Sequence, residues 1–146
     1  MGLFCVPSSV YADVVSGTVY EDKNKNGHFD RKDKGLSGVA VSNGNIVILT
    51  DKKGRYRIEL KDGDTLFISK PAGFSIPLDE NNLPQFYFNY SPYGTPTNLG
   101  FRYPGLASTG EVGDNLDFPL FKRKESDNYD VILISDPQTA TTEELD

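Results

Sequence analysis

An all-β fold, an antiparallel sandwich of the Ig-like or prealbumin-like kind, is the class this sequence predicts. Three observations carry that expectation. Apolar residues recur with a period of two, as strands with one buried face require. The apolar runs are short and separated at regular spacing by turn pairs containing Gly. No segment before residue 140 carries the 3.6-residue stripe of an amphipathic helix.

In chain order, Val15, Gly17 and Val19 start the first strand, and Val39 and Val41 mark another. Ile46-Val47-Ile48-Leu49 is apolar on both faces, which predicts an inner strand. Arg55-Tyr56-Arg57-Ile58-Glu59-Leu60 alternates without a break and predicts a face of Tyr56, Ile58 and Leu60 turned inward. Thr65 to Ile68 and Leu116-Asp117-Phe118 are further strand candidates. Asn26-Gly27, Asn43-Gly44, Lys53-Gly54 and Asp62-Gly63 supply the turns. Residues 71–115, punctuated by six prolines and rich in Gly, Asn and aromatics, read as a cap over the sandwich. At its centre Phe86, Tyr87, Phe88, Tyr90 and Tyr93 offer a docking face for a second domain or a sugar-stacking face, and filling of the core is the plainer alternative.

Composition bounds what such a fold could do. The 146 residues suit one domain, and the net charge of -6 argues against a nucleic-acid surface, which normally shows a basic footprint. No run reaches the roughly 20 apolar residues of a membrane span. The single cysteine, Cys5, has no partner for an internal disulfide. Residues 1–12 are small and apolar, carry no charge and end Val10-Tyr11-Ala12, like a signal-peptidase site without the basic segment that should precede it. They read as the remnant of a signal peptide, so a secreted, periplasmic or cell-surface location is expected. The other reading is a disordered or strand-forming N-terminus.

Asp22-Lys23-Asn24-Lys25-Asn26-Gly27-His28-Phe29-Asp30-Arg31-Lys32-Asp33 has the D-x-[DN]-x-[DN]-G spacing of a calcium loop. Hard oxygen donors at alternate positions let one loop wrap the ion, and Gly at the sixth position permits the sharp turn. Asp22, Asn24, Asn26, the His28 carbonyl, Asp30 and Asp33 are the expected calcium ligands. Asp33 stands where Glu is usual, and its shorter arm strains a bidentate contact. The alternative is a solvated Asn-Gly turn whose basic neighbours, Lys23, Lys25, Arg31, Lys32 and Lys34, neutralise its aspartates.

Gly35-Leu36-Ser37-Gly38-Val39-Ala40-Val41 and Thr50-Asp51-Lys52-Lys53-Gly54-Arg55-Tyr56 follow the loop. With it they resemble the SdrD B-like and carboxypeptidase-regulatory-like β-sandwich modules of secreted proteins. Further on come Phe86-Tyr87-Phe88, Ser91-Pro92-Tyr93-Gly94-Thr95-Pro96, Leu116-Asp117-Phe118-Pro119-Leu120 and Ile134-Ser135-Asp136-Pro137-Gln138. Taken in order, these are similar to the N-terminal domain of secreted bacterial calcineurin-like metallophosphoesterases. The resemblance implies a sandwich over 13–121, a linker over 122–128 and the first strand of a truncated α/β phosphoesterase domain over 129–146. It implies Asp136 and Gln138 as the first motif of a two-metal site, with Gln138 where that superfamily has His. It further implies a divalent metal pair and a phosphate ester substrate for the full-length enzyme only, with no complete catalytic set in this chain. The missing C-terminal domain is then the partner of this module. A calcium-stabilised spacer or carbohydrate-binding module of a cell-surface protein is the competing expectation.

Overall fold

The computed structural model of the chain describes residues 12–100, 102–112, 115–128 and 130–133. Most of the signal remnant, the motif residues Asp136 and Gln138, and the end of the last segment lie outside them. Nine strands form among the described residues. They are β1 (Ala12–Glu21), β2 (Lys34–Gly35), β3 (Ala40–Ser42), β4 (Val47–Leu49), β5 (Arg55–Lys61), β6 (Thr65–Ile68), β7 (Phe74–Ser75), β8 (Tyr87–Asn89) and β9 (Phe118–Lys122). The one helical element is a 3-10 turn over Thr97–Leu99. The chain is an all-β sandwich, as its periodicity predicts.

One sheet runs β2-β1-β9-β7, with β5 also paired to β1, and the other runs β4-β3-β6-β8. β1 is the spine of the first sheet. Its first seven residues pair antiparallel with β5, from Ala12 opposite Lys61 to Thr18 opposite Arg55. Its end pairs with β2 on one side and with β9 on the other. The β1–β9 pairing is parallel and so departs from the antiparallel expectation. A strand returning after some hundred residues is not bound to the hairpin geometry that makes neighbours antiparallel.

Alternation fills the core between the sheets. On β5, Tyr56, Ile58 and Leu60 are buried while the intervening Arg57 and Glu59 are exposed. They meet Val15 and Val19 of β1, Val41 of β3, Leu66 and Ile68 of β6, and Phe118 and Leu120 of β9. Two of the polar groups that enter bridge neighbouring segments. The Tyr56 hydroxyl donates to the Leu116 carbonyl, and Thr50 Oγ1 accepts from Val39 N at 2.9 Å while donating to the Leu36 carbonyl at 2.6 Å. The four predicted Gly turns all form, with Gly27, Gly44, Gly54 and Gly63 at positive φ.

Two sequence expectations are corrected. Ile46 to Leu49 does not make an inner strand: β4 is an edge, with Ile48 turned to the core and Val47 and Leu49 about two-thirds exposed. Two-sided apolarity marks a strand whose outer face can be covered, and no described residues cover this one. Residues 71–115 are more than a cap, because they supply β7 to one sheet and β8 to the other. Val131, Ile132 and Leu133, in the segment expected to open the truncated domain, are exposed and in no strand. A parallel strand forms only against a neighbour, and no other described strand pairs with this run.

Burial holds three tyrosines away from ionisation. The Tyr20 and Tyr56 hydroxyls are raised well above the ordinary phenol range, chiefly by desolvation. Tyr90 is pushed up to about 12 by burial and by donating to Asp13. A phenol whose folded pKa is raised gives stability that is whole below its unfolded value and is lost as pH rises through the folded one. Alkaline titration is therefore expected to ionise these three only with loss of the β circular-dichroism signal, in one step above about pH 10. Smooth tyrosinate absorbance with the β signal intact at its end would contradict their burial.

Candidate functional site

Two regions concentrate the residues singled out by chemistry. The first is the loop after β1. β1 and β2 pair Tyr20 with Gly35 and Glu21 with Lys34, so Asp22 and Asp33 face each other at the loop's neck. Asp22 is 2% exposed. Its Oδ1 accepts from Lys25 N at 2.6 Å and Asn26 N at 3.3 Å, and its Oδ2 accepts from Gly27 N at 2.8 Å. Asp33 closes the ring by accepting from Lys23 N and Asp30 N. Positive φ at Lys25 (57°) and Gly27 (74°) makes the sharp turn these contacts need.

The three middle side chains converge. Asn24 Nδ2 and Asn26 Nδ2 both donate to Asp30 Oδ2, at 2.8 and 3.1 Å. Hydrogen bonds from the Lys32 backbone and then from Asn24 hold the Asp30 carboxyl below its usual range. Among the described residues no group of three or more His, Cys, Asp or Glu side chains is gathered tightly enough to hold a metal unaided. A cation here needs amide and carbonyl oxygens as well. His28 enters through its backbone, its N–H donating to Asn26 Oδ1 at 2.9 Å. Lys25 turns its Nζ away, 5.3 Å from the centre of the Phe121 ring.

Tyr20 lies under this loop and was not among the predicted site residues. It stands on β1 two positions before Asp22, which follows the end of the strand, and is fully buried. Phe29 of the loop closes on it, with ring centroids 5.1 Å apart. After burial, the carboxylates of Asp22, Asp117, Asp33 and Asp30 act on its hydroxyl, in that order. That hydroxyl has no hydrogen-bond partner. The period-two relation to Asp22 is the signal that could have found it.

The second region is the aromatic stretch, and the structure divides it. Tyr90 is 1% exposed and belongs to the core, so it is removed from the predicted exposed face. Phe86 and Phe88 pack against the core as well. Of the predicted set, Tyr87 and Tyr93 reach solvent. Strand pairing explains the division: β8 joins β6 with Phe88 opposite Leu66, so alternate rings turn inward. The exposed rings lie further on. A loop pinned by Thr109 N on the Ser91 carbonyl and Thr95 N on the Leu106 carbonyl, both 2.9 Å, encloses a cleft of about 540 Å³. Tyr93, Arg102, Tyr103 and Leu106 line it. Arg102, the one charged residue between 81 and 110, rests its guanidinium 5.3 Å from the Tyr103 ring centre. Tyr103 belongs to the aromatic stretch that the sequence marks, whereas Arg102, a lone charge within it, carries no spacing or motif that singles it out.

Among the described residues no helix is long and apolar enough to cross a membrane. The chain is similar in structure to the major plantain pollen allergen Pla l 1, whose crystal structure matches with a TM-score of 0.41 and 15% identity. That match covers 79% of this chain and 98% of the allergen. No curated protein matches the sequence. The model of the family described as the N terminal of calcineurin-like phosphoesterase matches residues 23–105, more than half of the chain. Its span runs from the acidic loop through both sheets to the aromatic cleft, and the chain belongs to this family of calcineurin-like phosphoesterase N-terminal regions.

Proposed function

We propose that this chain is the non-catalytic N-terminal module of a secreted metallophosphoesterase that hydrolyses phosphate esters in its full-length form. The family match over residues 23–105 is the observation that carries this reading. Asp136, beyond the described residues, is assigned to the first motif of the two-metal site, with Gln138 as its companion. Two divalent ions a few ångströms apart clamp a phosphoryl group and activate the attacking oxygen, and one motif is insufficient for that. The apolar, uncharged opening of the chain supports export.

The face offered to the catalytic domain is the loop carrying Tyr93, Tyr103 and Leu106, whose exposed apolar surface suits coverage by another layer. Two open rings beside an arginine also favour a second reading, a carbohydrate-binding cleft. Asp136→Asn in the natural chain extended downstream tests the first reading. The variant is expected to lose turnover of a model phosphate ester while its melting curve stays unchanged, and full activity in it would refute the assignment. Weakened sugar binding on Tyr93→Ala, with turnover intact, would favour the second.

A further inference from the structure

Buried negative charge normally sits beside a positive partner, since an unpaired charge out of water is costly. Asp22 breaks that rule: it is 2% exposed and its carboxylate is met by backbone N–H groups alone. Five basic residues occupy the same segment, yet none forms an ion pair with Asp22, Asp30 or Asp33. The ion pairs among the described residues are Asp51–Arg55 and Lys70–Glu125. The basic neighbours of this loop thus make no contact ion pair with its carboxylates.

The second observation is independent of the acidic residues. The Tyr20 hydroxyl is buried two residues before the loop, within electrostatic reach of Asp22, Asp33 and Asp30, and lacks a partner. A buried polar atom left unmatched costs about 1–3 kcal/mol and calls for an explanation. A water between this hydroxyl and a bound cation supplies one.

We propose that residues 20–33 form a calcium site, with oxygens from Asp22, Asn24, Asn26, the His28 carbonyl, Asp30 and Asp33, and with Tyr20 holding a water that the cation shares. The donors are all hard oxygens, without thiolate or imidazole, which excludes a zinc-type set. Their number and the flexibility of a single loop suit calcium better than the strict octahedron of magnesium. Asn24 and Asn26 already meet Asp30 at one point through their amide nitrogens. A half-turn of each amide sets two oxygens beside that carboxylate, giving up the contacts they now accept from Asn26 N and His28 N. Binding thus turns existing side chains and draws Asp30 and Asp33 inward, without refolding the loop.

The test uses the 146-residue chain, stripped with chelator and titrated with calcium or magnesium. Melting is one readout and tyrosine emission another, and the absence of Trp leaves that emission unmasked. Saturating calcium is expected to raise Tm by roughly 5–10 °C, and magnesium by much less. Asp30→Asn, isosteric and away from the core, is expected to weaken calcium at least about tenfold, because ligand charge sets affinity in such loops. Tyr20→Phe is expected to weaken it by about tenfold as well, the usual effect of losing an outer-shell partner. Superimposed melting curves in chelator and in about 5 mM calcium would overturn the site. Unchanged affinity in Asp30→Asn would overturn the ligand set, and unchanged affinity in Tyr20→Phe would overturn the part given to its hydroxyl.

Discussion

Leu60→Ala is expected to lower the stability of the chain by about 3 kcal/mol, read as a shift in denaturant midpoint without a change of slope. Leu60 is fully buried near the end of β5, opposite Asp13 of the β1 spine and within the core cluster between the sheets. Removing its branched end forfeits both the transfer free energy and the contacts of its neighbours, which cannot all collapse into the space. Val47→Ala, on the exposed side of the β4 edge, serves as the comparison and is expected to change stability by less than about 0.5 kcal/mol. Similar effects from both would show that the core does not lie between the two sheets.

Gly54→Ala is expected to cost about as much for a different reason. Gly54 sits at φ 79°, and a Cβ there would lie 2.4 Å from the Val19 carbonyl oxygen and 2.6 Å from Leu36 N. Those two atoms are hydrogen-bonded to each other at 2.8 Å, and the Gly54 carbonyl accepts from Val19 N at 2.8 Å. The methyl group would therefore push apart the contact between β1, the segment after β2 and the turn into β5. Left-handed strain of about 1–2 kcal/mol adds to the broken contacts, for a total of about 3 kcal/mol. At Gly44 the φ is 89° but a Cβ meets nothing within 4 Å, so Gly44→Ala is expected to show the strain alone. Thermal melts of the pair measure the difference, and equal losses would mean that the close approach at Gly54 is absent.

Local rules made much of this fold readable. In Thr50 to Tyr56, Thr50 bridges Val39 and Leu36, Asp51 accepts from Lys53 N and Arg55 N, Gly54 takes the positive φ, and Tyr56 enters the core. Each role is set by neighbours a few residues away, so the motif reads correctly from sequence. β7 and β8, two and three residues long, are too short to show a period, and their partners place them. The β1–β9 pairing and the burial of Tyr90 depend on contacts between residues 77 to 99 positions apart. At the candidate site the donor spacing was legible, whereas the unpartnered hydroxyl of Tyr20, whose ring meets Phe29, is set by how the loop folds back. The β4 error has the same origin, because an apolar outer face reads alike whether or not another layer covers it.

The central claim is that this sandwich accompanies a phosphoesterase without being one. Its most direct test is phosphate-ester turnover by the purified 146-residue chain, assayed with manganese, zinc, cobalt and magnesium in turn, beside the naturally extended chain under the same conditions. The expected result is no turnover above the metal-only blank for the shorter chain and metal-dependent hydrolysis for the longer one. Robust, metal-dependent hydrolysis by the shorter chain, abolished by a substitution within residues 12–128, would contradict it.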